Sequence, residues 1–273
     1  MIKILFFGSY SFSLEYLKVL HCSDKIKITG IVSRPDNTEL NPVKSWCLKK
    51  KLDKLLFQPK SLKPNQIHQQ LIGLNSDLIF CAAYSLKIPS KLINKTKLGG
   101  VNIHPSLLPE LRGPDPIRRA ILEGAKRTGV TIHKLTKNYD CGDIYWKKAI
   151  EIGHRDNTED LINKIILRSK LHIVDVLQKI QNQTIKPIPQ KGSSTYAHSV
   201  KDYERVISNS FTIKKVNLLV RALSPFKPAI WDQGAYRYLI YNKNVKKNED
   251  PIVIKLKDGD YKTRFYVKEK KHE

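Results

Sequence analysis

Ile2-Lys3-Ile4-Leu5-Phe6-Phe7-Gly8-Ser9-Tyr10-Ser11-Phe12 opens the chain and sets its fold class. The apolar, aromatic-containing run from Ile2 to Phe7 predicts a buried strand. Gly8 to Ser11 predicts a turn. From Phe12 to Leu20 apolar residues recur at helical spacing, at Leu14, Leu17 and Leu20. Strand, glycine turn and helix together are the opening of a nucleotide-binding α/β unit. The turn brings backbone amides and hydroxyls to a helix start, a setting that suits an anion. A single glycine is equally consistent with a plain β–α connection.

The same alternation continues downstream. Lys27 to Ser33 reads as a second strand, ended by Arg34-Pro35-Asp36, with a short loop from Asn37 to Asn41. Pro42 sits where a first helical turn tolerates it, and Val43 to Leu52 supplies the helix. Phe57-Gln58-Pro59 is a short extended piece, Gln66 to Leu74 a helix, and Asp77 to Ala83 a strongly apolar strand that turns out through Tyr84 to Pro89. Further strands are expected at 98–104, 129–136 and 143–150, and helices at 115–123, closed by Gly124, and 160–180. This order predicts a doubly wound, mainly parallel α/β sheet of Rossmann-like type, covered on both faces. Ile185 to Ser199, with Pro187, Pro189 and Gly192, reads as a linker. A helix at 216–223 and β-like runs at 235–241, 251–256 and 261–267 follow, with Lys257-Asp258-Gly259-Asp260 as a hairpin signal. The expected division is therefore a catalytic domain over 1–184, a linker over 185–200 and a small β-rich domain over 201–273. There is no internal repeat.

Chemistry concentrates in Val101-Asn102-Ile103-His104-Pro105-Ser106-Leu107-Leu108-Pro109 and in Tyr139-Asp140-Cys141-Gly142-Asp143. In a strand, residues i and i+2 share a face, so Asn102 and His104 project side by side. Pro105 has no amide hydrogen and ends the strand. An amide and an imidazole thus meet at the carboxyl end of a strand, where open α/β sheets hold ligands. Asp140 on its glycine-containing turn would add a carboxylate. Amide, imidazole and carboxylate suit acyl transfer to an amine: an oxyanion donor, a proton acceptor and a group that orients the imidazole. Taken singly, a histidine after a strand is more often a surface or capping residue.

Asn102-x-His104-x-Ser106-Leu107-Leu108-Pro109, then Arg112-Gly113, then Asp140-x-Gly142-Asp143, resembles the formyltransferases that use 10-formyltetrahydrofolate. That family includes methionyl-tRNA formyltransferases, sugar N-formyltransferases and glycinamide ribonucleotide transformylase. The resemblance implies a catalytic trio of Asn102, His104 and Asp140. It implies donor contacts, many through backbone groups, at Tyr84, Ser85, Leu86 and Ile88 in the turn of the pterin side, and at Leu107, Leu108, Asp140 and Asp143. Ser194-Thr195-Tyr196-Ala197 resembles the family's segment before its second domain, and the carboxyl region resembles its small barrel-like OB domain, shortened. Ser106 reads as a turn residue and Cys141 as a spacer rather than a nucleophile. The chemistry requires no metal.

The acceptor is read from departures. Methionyl-tRNA formyltransferases usually carry Gly-Thr-Pro-x-Phe after the first strand, a long basic insertion after the second, and Arg-Gly-Ala-Ala-Pro-Ile. This chain has Gly8-Ser9-Tyr10-Ser11-Phe12, only Asn37-Thr38-Glu39-Leu40-Asn41, and Arg112-Gly113-Pro114-Asp115-Pro116-Ile117. These favour a nucleotide-linked amino sugar (uridine or thymidine diphosphate), with contacts at Ser9, Tyr10, Arg34 and Arg112 and with Lys87 as a further basic group. Phe57-Gln58-Pro59, Val220 to Pro225 and the positive charge resemble the enzyme acting on initiator methionyl-tRNA, which stands as the alternative.

The 273 residues carry a formal net charge of +24. Such a balance attracts nucleic acid, membrane surfaces or phosphorylated substrates. Residues 201–273 hold 17 Lys and Arg against 9 Asp and Glu, and the other 200 hold 32 against 16, so the excess is spread rather than gathered in one arm. An AT-rich genome explains it equally well. A non-catalytic nucleic-acid-binding protein would interleave basic and aromatic residues on one face; Tyr236, Tyr238 and Tyr241 alternate more like sheet packing. Four scattered cysteines with no C-x-x-C pair predict reduced thiols, no zinc site and a cytoplasmic setting. No apolar run approaches the ~18 residues of a membrane helix, and a strand at the amino terminus predicts no signal peptide. The shortened carboxyl domain offers a surface for a homodimer.

Overall fold

The computed structural model describes residues 1–36, 41–63, 65–243 and 245–271. Most of the loop expected at Asn37 to Asn41 lies outside them. The chain runs β1 (Ile2–Gly8), α1 (Ser11–His21), β2 (Ile26–Val32), α2 (Pro42–Lys49), β3 (Leu56–Phe57), α3 (Asn65–Gly73), β4 (Leu78–Ala82), α4 (Ser90–Ile93), β5 (Gly100–His104), α5 (Pro116–Leu122), β6 (Arg127–Lys134), β7 (Ile144–Glu151) and α6 (Thr158–Gln181). Then come α7 (Ile213–Leu223), β8 (Ala229–Gln233), β9 (Tyr236–Ile240), β10 (Ile252–Leu256), β11 (Gly259–Thr263) and β12 (Tyr266–Lys270).

Among the described residues, seven strands form one sheet in the order β3-β2-β1-β4-β5-β6-β7. The pairs β2–β3, β1–β2, β1–β4 and β4–β5 are parallel. The expected doubly wound, mainly parallel sheet is present, with one reversal: β6 runs antiparallel to β5. The central strands are buried on both faces, which is why β1 and β4 read as continuous apolar runs. On one face Phe6 and Phe80, partners in the β1–β4 register, stack with ring centroids 6.0 Å apart. Tyr16 of α1 leans on Phe80, and its hydroxyl bonds Ser169 Oγ of α6 at 2.8 Å. On the other face Leu5, Phe7, Ile79 and Cys81 pack with Leu71 of α3 and Leu92 and Ile93 of α4.

The chain divides into two compact units that interleave along the sequence. One comprises 1–112, 129–149 and 165–194; the other comprises 113–128, 150–164 and 195–273. Contact and composition therefore partition the chain differently. The second unit gathers α5 and the start of α6 around the carboxyl region. There Asp115, the N-cap of α5, takes a hydrogen bond on its carboxylate from the Val200 amide, and Arg119 pairs with Glu204 at 2.7 Å. Its core sets α7, through Val216, Leu219, Val220 and Leu223, against Ala229, Ile240 and Ile254.

The β-like tail resolves into a three-stranded sheet, β12-β9-β8, and a β10–β11 pair. The hairpin signal is realised as Leu256 paired with Gly259 across Lys257-Asp258, with Gly259 at φ +139°. Two expectations change here. The single strand expected over 261–267 is two strands, parted at Arg264-Phe265, because β11 pairs with β10 and β12 with β9. β8 was not expected: it is a short strand entered directly from Pro228, too brief to show alternation.

Tyr16 tests the packing of the first unit. Ser169 Oγ donates to Ile165 O at 2.7 Å, so the tyrosine hydroxyl is the donor to Ser169. Tyr16→Phe removes that bond and leaves the Ser169 acceptor unfilled. It is expected to destabilise the fold by about 1 kcal/mol, read as a fall in the urea midpoint with the slope unchanged.

Candidate active site

The antiparallel turn of β6 assembles the site. In the β5–β6 register Asn102 stands opposite His133 and His104 opposite Thr131. Directly opposed residues share a face of the sheet. Asn102 is also the β5 partner of Cys81 on β4, so Cys81, Asn102 and His133 form one row across three strands. The Cys81 thiol is pushed up to about 12 by burial, which leaves it inert as a nucleophile.

Asp140 joins this row from the loop between β6 and β7. Its Oδ1 lies 3.4 Å from Asn102 Nδ2, 3.4 Å from His104 Nδ1 and 3.5 Å from His133 Nε2. Asn102 Nδ2 also lies 3.2 Å from His133 Nε2. Each imidazole is anchored by its other nitrogen: His104 Nε2 reaches Leu111 O at 2.9 Å and His133 Nδ1 reaches Lys134 O at 2.8 Å. A carbonyl only accepts, so those ring nitrogens carry the hydrogens. In their neutral forms both rings therefore turn a lone pair toward Asp140. A proton arriving on His104 Nδ1 converts a repulsive contact into an ion pair. His104 is 4 % exposed. Burial is the largest influence and lowers its pKa, opposed by the charge of Asp140 and the bond to Leu111; His133 lowers it further. The resting imidazole is thus a neutral base beside a carboxylate.

The Asp140 loop is held from three sides. Asp140 itself has φ +52°, a left-handed conformation that a short polar residue tolerates. A Cβ on Gly142 would lie 2.0 Å from Lys134 O, so only glycine lets the loop lie against the end of β6. Gln190 Nε2 donates to the carbonyls of Asp140 and Gly142, each at 2.8 Å. Its Oε1 accepts from Arg112 Nε at 3.2 Å and Nη2 at 2.6 Å. Arg112 and Gln190 thus clamp the loop that carries the carboxylate.

The structure brings together Asn102, His104 and Asp140 as the sequence analysis expects, and adds His133 and Gln190, which it passed over. The other expected residues are distributed as follows. Ser85 is exposed, and Tyr84, Leu86, Leu107 and Asp143 are half-buried. Ile88 and Leu108 are buried, Ile88 in the core beside Leu92. The Leu108 amide already donates to Thr131 Oγ1 at 3.2 Å. Ser9 is fully buried and its Oγ accepts from the Arg34 amide at 3.0 Å. Tyr10 is exposed, and the Arg34 guanidinium lies over its ring, 4.7 Å from the centroid. The Arg34 carbonyl is fixed by Asn41 Nδ2 and Gln58 Nε2 at 2.9 and 2.8 Å, while its Nε is buried with no hydrogen-bond partner among the described residues. Lys87 lies 5.6 Å from the Tyr139 ring. Cys141 is exposed. Among the described residues no group of three His, Cys, Asp or Glu is placed to hold a metal ion, and no helix is long and apolar enough to cross a membrane.

Comparison with known proteins gives a consistent family. Residues 2–177 match the formyl transferase domain model. The chain is 33 % identical over 232 residues to a methionyl-tRNA formyltransferase of Buchnera aphidicola subsp. Baizongia pistaciae, covering 83 % of this chain and 71 % of the relative. Its fold is shared with a sugar N-formyltransferase from Shewanella sp. FDAARGOS_354 (TM-score 0.69, 20 % identity, 86 % of this chain and 94 % of that one). It is shared also with an N-formyltransferase from Helicobacter canadensis in complex with folinic acid and dTDP-3-aminofucose (TM-score 0.62, 16 % identity, 98 % and 100 %).

The clamp makes a prediction. Gln190→Ala frees the carbonyls of Asp140 and Gly142 and is expected to lower kcat by roughly 10-fold, since small misplacement of a reacting group is costly, while the urea midpoint moves little. An unchanged kcat would mean that the loop holds its position without Gln190.

Proposed function

The chain belongs to the formyl transferase family, and from that premise we propose that it moves a formyl group from 10-formyltetrahydrofolate to the primary amine of a nucleotide-linked amino sugar. Asn102, His104 and Asp140 carry the reaction in this reading. The neutral amine attacks the formyl carbon of the donor, and the carbonyl oxygen becomes an oxyanion. Asn102 Nδ2 donates to that oxyanion. His104 takes the amine proton, directly or through water, and Asp140 stabilises the imidazolium that results. The carbon–N10 bond then breaks, N10 takes the proton held by His104, directly or through water, and tetrahydrofolate leaves with the imidazole neutral again. The turn at 84–88 and residues 107–108 would hold the donor chiefly through backbone groups, since Ile88 and Leu108 commit their side chains to the core. A cytoplasmic setting fits the four free cysteines.

The observations that carry the acceptor assignment are the few residues of sequence between β2 and α2, Ser33 to Asn41, and the Arg34–Tyr10 pair. An aromatic face and a guanidinium with a spare buried donor suit a base and a phosphate. Ser9 and Arg112 are weaker contacts in this reading, because Ser9 Oγ already binds Arg34 and Arg112 already binds Gln190. A second reading, formylation of initiator methionyl-tRNA, is favoured by the relative 33 % identical and by the net charge of +24.

The acceptor is tested by competition. With 10-formyltetrahydrofolate, a panel of uridine- and thymidine-linked amino sugars and charged initiator tRNA, turnover with a sugar and none with tRNA is expected. Turnover with tRNA alone would reject the assignment. The trio is tested by His104→Ala and Asn102→Ala, each expected to fold and to lose roughly 10²-fold or more in kcat. The pH profile has a definite sign. Reaction needs His104 neutral, and burial lowers its pKa, so the acid limb of kcat/KM should fall below the ordinary imidazole value of about 6.5. By the same linkage His104 binds its proton more readily unfolded, so its contribution to stability declines as pH drops below about 6.5 and levels off beneath its folded value. A limb at or above 6.5 would contradict the neutral-base assignment.

A further inference from the structure

We infer that His133 is a positioning residue for Asn102, and that it fixes which way the catalytic amide faces. The inference rests on the reading of Asn102 as the oxyanion donor. His133 is 2 % exposed and sits opposite Asn102 in the β5–β6 register. Its Nδ1 must donate to Lys134 O, 2.8 Å away, so in the neutral ring Nε2 carries the lone pair. That lone pair faces Asn102 Nδ2 at 3.2 Å. Asp140 Oδ1, an acceptor in its ionised form, lies 3.4 Å from the same nitrogen. Two acceptors flank the amide, so its NH2 must point between them and its oxygen away.

The arrangement also gives each amide hydrogen a different task. The contact to His133 is the shorter one and is independent of the reaction. The contact to Asp140 is longer and shared: the same Oδ1 serves His104 Nδ1. When His104 takes the amine proton, its Nδ1–H becomes the stronger donor to Oδ1, because a hydrogen bond between ionised groups outcompetes one from a neutral amide. Asn102 then turns the released N–H to the oxyanion while His133 holds the other. Proton uptake by His104 and oxyanion stabilisation by Asn102 are thereby coupled through one carboxylate oxygen, and His133 is the pivot.

The test uses His133→Gln, whose Oε1 reaches about as far as Nε2 and can accept, and His133→Met, which cannot fill that role. Two readouts are taken on proteins whose thermal unfolding is first compared. Side-chain amide 15N–1H signals of Asn102, assigned by their loss in Asn102→Ala, are expected to move in His133→Met and to stay near their wild-type positions in His133→Gln. In turnover, followed with whichever amine the wild-type enzyme formylates, His133→Met is expected to lose roughly 10-fold or more in kcat with KM little changed. His133→Gln is expected to keep most of the rate, and His133→Met to add almost nothing in the Asn102→Ala background. Unmoved Asn102 signals in His133→Met, equal losses in Gln and Met, or a fully additive double variant would each overturn the inference. Because the amide signals need no substrate, a wrong acceptor leaves this result standing, and a failed pivot leaves the acceptor assignment untouched.

Discussion

A single carboxylate oxygen, Asp140 Oδ1, has three nitrogens within 3.5 Å, and much of the surrounding structure keeps it there. Bringing an ionised carboxylate into a largely buried setting is costly unless it is paired or hydrogen-bonded. The amide of Asn102 is one donor to it, and in their neutral forms both imidazoles spend their hydrogens on backbone carbonyls. A proton arriving on His104 Nδ1 would place a charged donor 3.4 Å from this oxygen. That contact favours a protonated imidazole, while burial favours the neutral ring. The opposing influences of burial and Asp140 on His104 express the same balance.

Keeping the oxygen in place falls to backbone geometry. The loop must double back over the end of β6, which needs the left-handed Asp140, the absent Cβ of Gly142 and the Gln190 bridge to Arg112. The fold contributes through one reversal. If β6 continued the parallel sense of β1 to β5, a crossover would set its register and Asn102 would face another residue. Antiparallel pairing instead sets His133 directly across from Asn102, and Thr131, bonded to the Ser106 carbonyl at 2.6 Å, beside His104.

These origins explain what the sequence disclosed. Asn102 and His104 were legible because strand periodicity alone puts them on one face, and Asp140 because it lies on a glycine-containing turn. His133 was hidden: within Val130-Thr131-Ile132-His133 it reads as one more alternating strand residue, and its role depends on a pairing register set by distant segments. Gln190 was hidden for the opposite reason. It lies in a stretch rich in Pro, Gly and Ser that reads as a linker, yet Ile188 forms a bridge with Ile144 and carries Gln190 to the loop. Ile88, Leu108 and Ser9 are buried, so any ligand contact they make would run through backbone groups, which a sequence pattern does not single out.

Availability also bears on how an acceptor is chosen. In the proposed reading the cluster of Asn102, His104, His133 and Asp140 acts on an amine and a formyl group, and what the amine is attached to would be read by other groups. Discrimination must come from groups with donors to spare. Arg112 gives Nε and Nη2 to Gln190, and the Ser9 hydroxyl takes the Arg34 amide, so both are partly spent on architecture. Arg34 is arranged differently. Its backbone is fixed at both the amide and the carbonyl, its guanidinium rests on an exposed tyrosine, and its Nε has no hydrogen-bond partner among the described residues. In the proposed reading a backbone fixed in this way suits recognition of a phosphate, because part of the ordering cost is met before the ligand arrives. The +24 charge, spread over both ends of the chain, adds attraction for any polyanion but no such selectivity.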